Sequence, residues 1–381
     1  LPARILSRIA AVPALALGIA LLSAVPVAAA PASPGHSGSP AALHQAVTLL
    51  AAAPSIPVGS GPVPNGTFQS FAISDRVSLR VNVGSGDALL TTGDITIPQV
   101  GSSLTLGASY NSLLVGSGEA TGSMDANGWR QREGADVQLY PASDGSVTYL
   151  GEDGTAGKFT PSGGGFASPA QFHVTLVTSS GSVCGGTGYT MTWHASGKVM
   201  CFSAAGLLNS QADRAGNTTA FTYNGAGQET KITFTPHGAS SPTRTVTVTS
   251  NGYWLTGFTQ AGGSAGTKTV TYALNQSAGN LASMTQADGT AISFGYDSTH
   301  NLTSITNGAS VTTTLAYNSA HQVTSVTQAT TGSTTATTRF DYVSPTQTLL
   351  ADPKTTQSDS VPSVPHVTYT VVSSSGGNGC R

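Results

Sequence analysis

Along residues 291–296 apolar and small polar positions alternate. Ile292, Phe294 and Tyr296 fall between Ala291, Ser293 and Gly295, the two-residue period of a strand with one buried face. The next five residues, Asp297-Ser298-Thr299-His300-Asn301, have side chains that bond their own backbone and tolerate left-handed dihedrals. A second strand follows over 301–306, so the segment predicts a β-hairpin. Leu302 and Ile305 are three apart, and a regular strand sends such a pair to opposite faces. Either both faces are partly covered or a bulge intervenes.

The same pattern recurs through the second half of the chain. Phe221 to Thr233 (FTYNGAGQETKIT), Phe294 to Thr306 (FGYDSTHNLTSIT) and Leu315 to Thr327 (LAYNSAHQVTSVT) align without a gap. Each carries a tyrosine (Tyr223, Tyr296, Tyr317), then Asn224, Asp297 or Asn318, and an aliphatic residue (Ile232, Ile305, Val326) nine positions after the tyrosine. Weaker copies start at Phe202 and Thr249, a copy with a stretched turn at Tyr272, and degraded ones at Tyr342 and Tyr369. The anchors at 202, 223, 249, 272, 296, 317, 342 and 369 are 21 to 27 residues apart, the interval of a structural repeat. One two-stranded ribbon is marginal in water. Stacked side by side, successive hairpins make a continuous sheet.

Tyrosine, Asp or Asn, small residues and then Leu-Thr-Ser-Ile resembles the YD repeat of the bacterial Rhs family, also found in toxin-complex shells. Val81 to Leu113, followed by Gly128-Trp129-Arg130, is similar to the region preceding the repeats in secreted Rhs-type proteins of high-GC Gram-positive bacteria. The resemblance covers roughly residues 75 to 370. It implies an all-β fold: a β-rich N-terminal domain (67–200), then stacked YD hairpins (201–381) forming part of a curved or spiral β-sheet shell. Tyr223, Asn224, Ile232, Tyr272, Tyr296, Asp297, Ile305, Tyr317, Asn318, Val326 and Tyr342 are then structural repeat residues. Phe221, Phe294 and Phe340 pack the sheet.

The leading residues read differently. Arg4 and Arg8 precede an apolar run over 9–22 and small residues to position 32, the layout of a secretory signal peptide (1–30). The run is shorter than the ~20 residues a membrane span needs. Residues 31–66, rich in Pro, Ala, Gly and Ser, read as a linker. No later segment is long and apolar enough to span a membrane, so the mature chain is expected to be soluble; the signal layout predicts a secreted, extracellular or wall-associated product. Between 67 and 200, alternation at 77–81 and 95–97, with Pro98 as a strand terminator, continues the β reading. Trp129 is read as core rather than as a ligand-stacking aromatic.

In an exported chain Cys184 and Cys201 are the natural disulfide pair. The strict hairpin partner of Cys201 lies near Thr190, so the 184–188 loop must fold back. Cys380 has no partner within the chain. Charged residues make up 8% and net charge is −2, without a basic run, so no nucleic-acid footprint is present.

Catalytic motifs give little. Residues 262–266 match G-x-S-x-G but precede a strand, whereas that motif needs a helix next. The eight histidines lack metal-ligand spacing. His300 and His321 share one repeat slot in turns and read as solvated loop residues. Asp125-Ala126-Asn127-Gly128 is a fragment of a calcium loop, and an Asn-Gly turn explains it. No catalytic, cofactor-binding or metal residue is assigned, no cofactor is expected, and the chain is not read as an enzyme.

The resemblance implies a non-catalytic shell or scaffold of a secreted, polymorphic-toxin-like protein that encloses a C-terminal toxin as cargo. The family's core segment with its self-cleaving aspartates has no counterpart here, and Asp352-Pro353 lies in a repeat turn. The chain therefore reads as a truncated member whose sheet has an open edge. The alternative is a carbohydrate-binding or adhesion module stacking exposed tyrosines and Trp254 on cell-wall or surface glycans. A hydrolase is a distant third. An exposed aromatic row favours the glycan module; burial of the aromatics favours the shell.

Overall fold

The computed structural model describes residues 56–371 apart from 58–59, 63–65, 99–102, 116–121, 171, 182–183, 185, 263–265 and 331–333. The signal segment, nearly all of the 31–66 linker, the middle of the 262–266 motif and Cys380 lie outside the described residues. Among the described residues no helix is long and apolar enough to cross a membrane.

The chain is built from strands. Phe68–Ala72, Val77–Asn82, Ala88–Thr92 and Ser103–Asn111 pair in that order, and Ile95–Pro98 and Trp129–Arg132 both join Ser103–Asn111. A four-stranded meander runs from Gln138–Pro141 to Gly165–Ala167. The third sheet has 17 antiparallel strands, from Val174–Gly181 to Val367–Thr370, each paired with its neighbour in sequence and not closed on itself. It starts at Val174, ahead of the expected boundary at residue 201. The hairpin Val174–Gly181 to Gly186–Trp193 lacks the tyrosine-Asx pattern, yet its register onto Val199–Ser203 is regular.

The rim turns explain the repeat. Asn224 N–H bonds Gln228 O at 2.9 Å and Gly227 N–H bonds Asn224 O at 2.8 Å. Its Oδ1 accepts from the Ala226 and Gln228 amides, both at 3.0 Å. Asp297 and Asn318 make the same bonds, so the Asx residue templates the loop. The fourth residue must be left-handed: Gly227 has φ 72°, His300 67° and His321 60°. The histidines are half-buried, and each Nδ1 contacts an asparagine Oδ1 of the preceding turn, Asn280 at 3.1 Å and Asn301 at 2.6 Å.

The choice left open at Leu302 and Ile305 resolves as a bulge. Tyr296 faces Leu302 but Gly295 faces Ser304, so Thr303 is the extra residue. Both Leu302 and Ile305 are therefore fully buried. The same shift recurs opposite Phe202, Tyr223, Ser250, Leu274 and Tyr317. One extra residue per return strand keeps the apolar positions on one face and strengthens the local twist. Tyr272 falls two residues short of the slot facing the bulge, which Leu274 fills.

That buried face shares one hydrophobic core with the leading strands. The eleven strands from Leu208–Ala212 to Val323–Ala329 would span roughly 50 Å if flat. A leading segment of about 100 residues is only some 35 Å across. Yet it meets the long sheet from Gly206, whose carbonyl accepts from Leu139 N–H at 2.9 Å, to Gln328, whose Nε2 donates to Ala72 O at 2.9 Å. The sheet can reach it along that length only by curling around it.

Candidate functional site: the seam between the leading strands and the repeat sheet

A bulge strips its strand of regular ladder bonds, so each repeat has backbone groups to satisfy at the same place. The repeat tyrosine takes the carbonyl. Tyr223 Oη donates to Leu208 O at 2.8 Å, Tyr296 to Leu281 O at 2.7 Å and Tyr317 to Leu302 O at 2.9 Å, each reaching fifteen residues back. Tyr342 does so to Val323 O at 2.6 Å, nineteen residues back. The leading strands take two of the amides. Leu302 N–H donates to Tyr110 Oη at 2.9 Å and Val323 N–H to Gly86 O at 2.9 Å.

Aromatic packing continues the seam. Trp129 is fully buried, with ring centroids 5.6 Å from Tyr110 and 4.9 Å from Phe294, and its Nε1 donates to Tyr296 Oη at 2.8 Å. Burying a side chain of 150–250 Å² at ~25 cal/mol per Å² stabilises the contact by about 4–6 kcal/mol. Asn127 bonds Gly279 O through both its amides, at 2.9 and 2.8 Å. Asn307 Nδ2 and Gln322 Nε2 donate to Ile73 O and Ser85 O, each at 2.9 Å.

Two carboxyl groups join the layers. Glu229 stands where other repeats carry Leu208, Leu255, Leu281, Leu302 and Val323. Its Oε2 accepts from Gln131 Nε2 at 2.6 Å and Ala135 N–H at 3.2 Å. Its Oε1 is buried without a partner, and burial pushes the carboxyl up to about 8. Asp94 Oδ2 accepts from Tyr272 Oη at 2.5 Å and Thr92 Oγ1 at 3.0 Å, and burial raises it to about 6. Asp87, also buried, is raised to about 7 but is held within the leading segment by Gly61 N–H, Asn111 and Ser112.

The structure brings the sequence-singled residues into one system. Ile232, Ile305 and Val326 are buried opposite Phe221, Phe294 and Leu315. Tyr272 alone among the chosen tyrosines spends its hydroxyl on a carboxyl. Cys184 and Cys201 are joined with Cα atoms 5.3 Å apart, and Cys201 faces Thr190 in the ladder. Sequence reading missed Tyr110, Asp94, Gln131 and Glu229. Only Glu229 left a signal, a charge in an apolar slot of the aligned repeats. Among the described residues no group of three or more His, Cys, Asp or Glu side chains is placed to hold a metal ion.

The RHS Repeat family profile matches residues 277–312 and 296–334, the hairpins in which the tyrosine, Asx turn and bulge recur most regularly. No curated protein sequence matches the chain. Among solved structures, the TcdB2-TccC3-Cdc42 crystal structure is similar over 79% of this chain and 19% of its own, at 12% identity and TM-score 0.33. TcdB2-TccC3 without its hypervariable C-terminal region is similar over 80% and 16%, at 14% identity and TM-score 0.33. The Photorhabdus luminescens Tc holotoxin pore is similar over 77% and 16%, at 12% identity and TM-score 0.33. The chain spans less than a quarter of the length of each. By its matched profile and the hairpin geometry beneath it, the chain carries RHS repeats over residues 277–334.

Proposed function

We propose that this chain is the front section of an exported Rhs-type shell, a scaffold without chemistry of its own. Its leading strands close the first end of a sheet that, in a longer product, is part of a wall around a C-terminal effector. One observation carries this reading: the repeat tyrosines spend their hydroxyls on backbone carbonyls and pack on the core, so they are structural parts of a wall. A glycan-binding module has a weaker support, Tyr253, 51% exposed, with Trp254 6.2 Å away on one rim turn. That is one pair at the rim instead of a row across the sheet. A hydrolase is disfavoured because Asp94 and Glu229 are committed to the seam.

Intact mass of the product secreted by the source organism tests the proposal, together with protease digestion of that product. A product longer than 381 residues, with its C-terminal portion protected until the shell is unfolded, supports it. A mature product ending at Arg381 contradicts an enclosed effector in the same chain and turns attention to glycan binding through Tyr253 and Trp254.

A further inference from the structure

Glu229 and Asp94 have a feature in common beyond burial. Each reaches across the seam with one oxygen, Glu229 from the repeat sheet to Gln131 and Ala135, Asp94 from the leading strands to Tyr272. The other oxygen of each, Oε1 and Oδ1, is buried and meets no hydrogen-bond partner. An ionised carboxylate shares its charge over both oxygens, so an unpartnered one bears the full cost of desolvation. A neutral carboxyl avoids that cost. On Glu229 the proton belongs on Oε1, because Oε2 already accepts two N–H donors. On Asp94 the short contact to Tyr272 survives with either oxygen donating.

We propose that Glu229 and Asp94 are a pH-sensitive lock between the leading strands and the repeat sheet, closed while both carboxyls hold a proton and loosened as they ionise. Burial and the negative charge of Asp136 favour the neutral form of Glu229 and outweigh the Gln131 and Ala135 N–H donors, which favour the carboxylate; Tyr223 lies beside it in its own sheet. Glu133, next along, turns its carboxylate to Lys198 at 3.3 Å and Gln211 at 2.7 Å. Around Asp94 stand Thr92, Tyr272 and two cations. Arg132 is engaged by Thr92 O at 2.5 Å and Arg76 by Asp288 at 3.2 Å.

The direction follows from linkage. Both groups bind protons more tightly in the docked state than when the seam is open, with ordinary values of 4.5 and 3.8 and docked values of about 8 and 6. Their stabilisation is complete below the ordinary values and is lost as pH rises through the docked ones. Each pH unit in that window shifts the docked-to-open ratio about tenfold per group. Between pH 6 and 8 Glu229 dominates, so the lock weakens by up to roughly a hundredfold.

The test is urea unfolding from pH 5 to 9 on the whole chain, with amide exchange at Ala135 as a local readout. Wild type should lose midpoint steadily from pH 6 to 8, and Ala135 should exchange faster than the pH dependence of chemistry alone requires. Glu229→Gln, an uncharged isostere, should match wild type near pH 5, flatten the slope and exceed wild type at pH 9. Asp94→Asn should flatten the lower part of the window. A wild-type midpoint that is constant or rises from pH 6 to 8 overturns the proposal even if neither variant folds. An E229Q slope equal to that of wild type overturns it for Glu229.

Discussion

Tyr223 and Tyr296 occupy the same repeat slot, and replacing each by phenylalanine separates the repeat's internal bond from the seam. Both rings stay in place, so only the hydroxyl is lost. At Tyr223 that removes one bond, to Leu208 O, a loss of about 1 kcal/mol. At Tyr296 it removes the bond to Leu281 O and strands the fully buried Trp129 N–H, whose acceptor was that hydroxyl. Leaving a buried donor unpaired costs a further ~1–3 kcal/mol, so Tyr296→Phe should cost about 2–4 kcal/mol. Urea midpoints at constant m-value measure both, with tryptophan fluorescence reporting on Trp129. Equal losses, or a larger one at Tyr223, would refute the claim that the leading strands are bonded into the repeat sheet through Tyr296.

Three more outcomes follow from the same geometry. Deleting Thr303 removes the bulge and sends either Leu302 or Ile305 to the outer face; the loss of one buried aliphatic side chain should cost about 2–3 kcal/mol, read as a drop in thermal midpoint, whereas deletion of a loop residue such as Ser298 should retain the pairing. Cys201→Ser should lower stability by about 3 kcal/mol through the lost loop closure, and a reductant should lower the wild-type midpoint while leaving that of the variant unmoved. His300→Gly should be nearly neutral, because glycine accepts the left-handed backbone at φ 67° while the contact to Asn280 is lost; His300→Val should cost at least about 1 kcal/mol, and equal midpoints for the two variants would contradict the turn geometry.

How far the sequence discloses this molecule depends on the scale asked about. The hairpin, its Asx turn and the buried aliphatics are local, and Tyr296, Asp297 and Ile305 announce them by spacing. The bulge was half visible, since Leu302 and Ile305 demanded either it or two covered faces. Tyr272 misleads because its slot is set by the turn at Asn275, and counting from the tyrosine skips two residues. The seam is the least legible part. Tyr110, Asp94 and Gln131 lie 98 to 192 residues from Glu229, Tyr272 and Leu302, and no periodicity links a leading strand to the repeat it will meet. Glu229 was detectable as a charge among leucines, but only its partners explain it.

The most direct measurement is residue-resolved amide exchange at Leu302 and Val323 at pH 5, where both carboxyls of the lock hold their protons. Bulges leave these amides without ladder partners, and the leading strands supply Tyr110 Oη and Gly86 O instead. If the sheet is wrapped around those strands, both amides should exchange at least roughly a thousandfold more slowly than in the unfolded chain. Exchange as fast as that of an exposed turn amide would mean that the inner face is bare, and the wrapped architecture would be wrong.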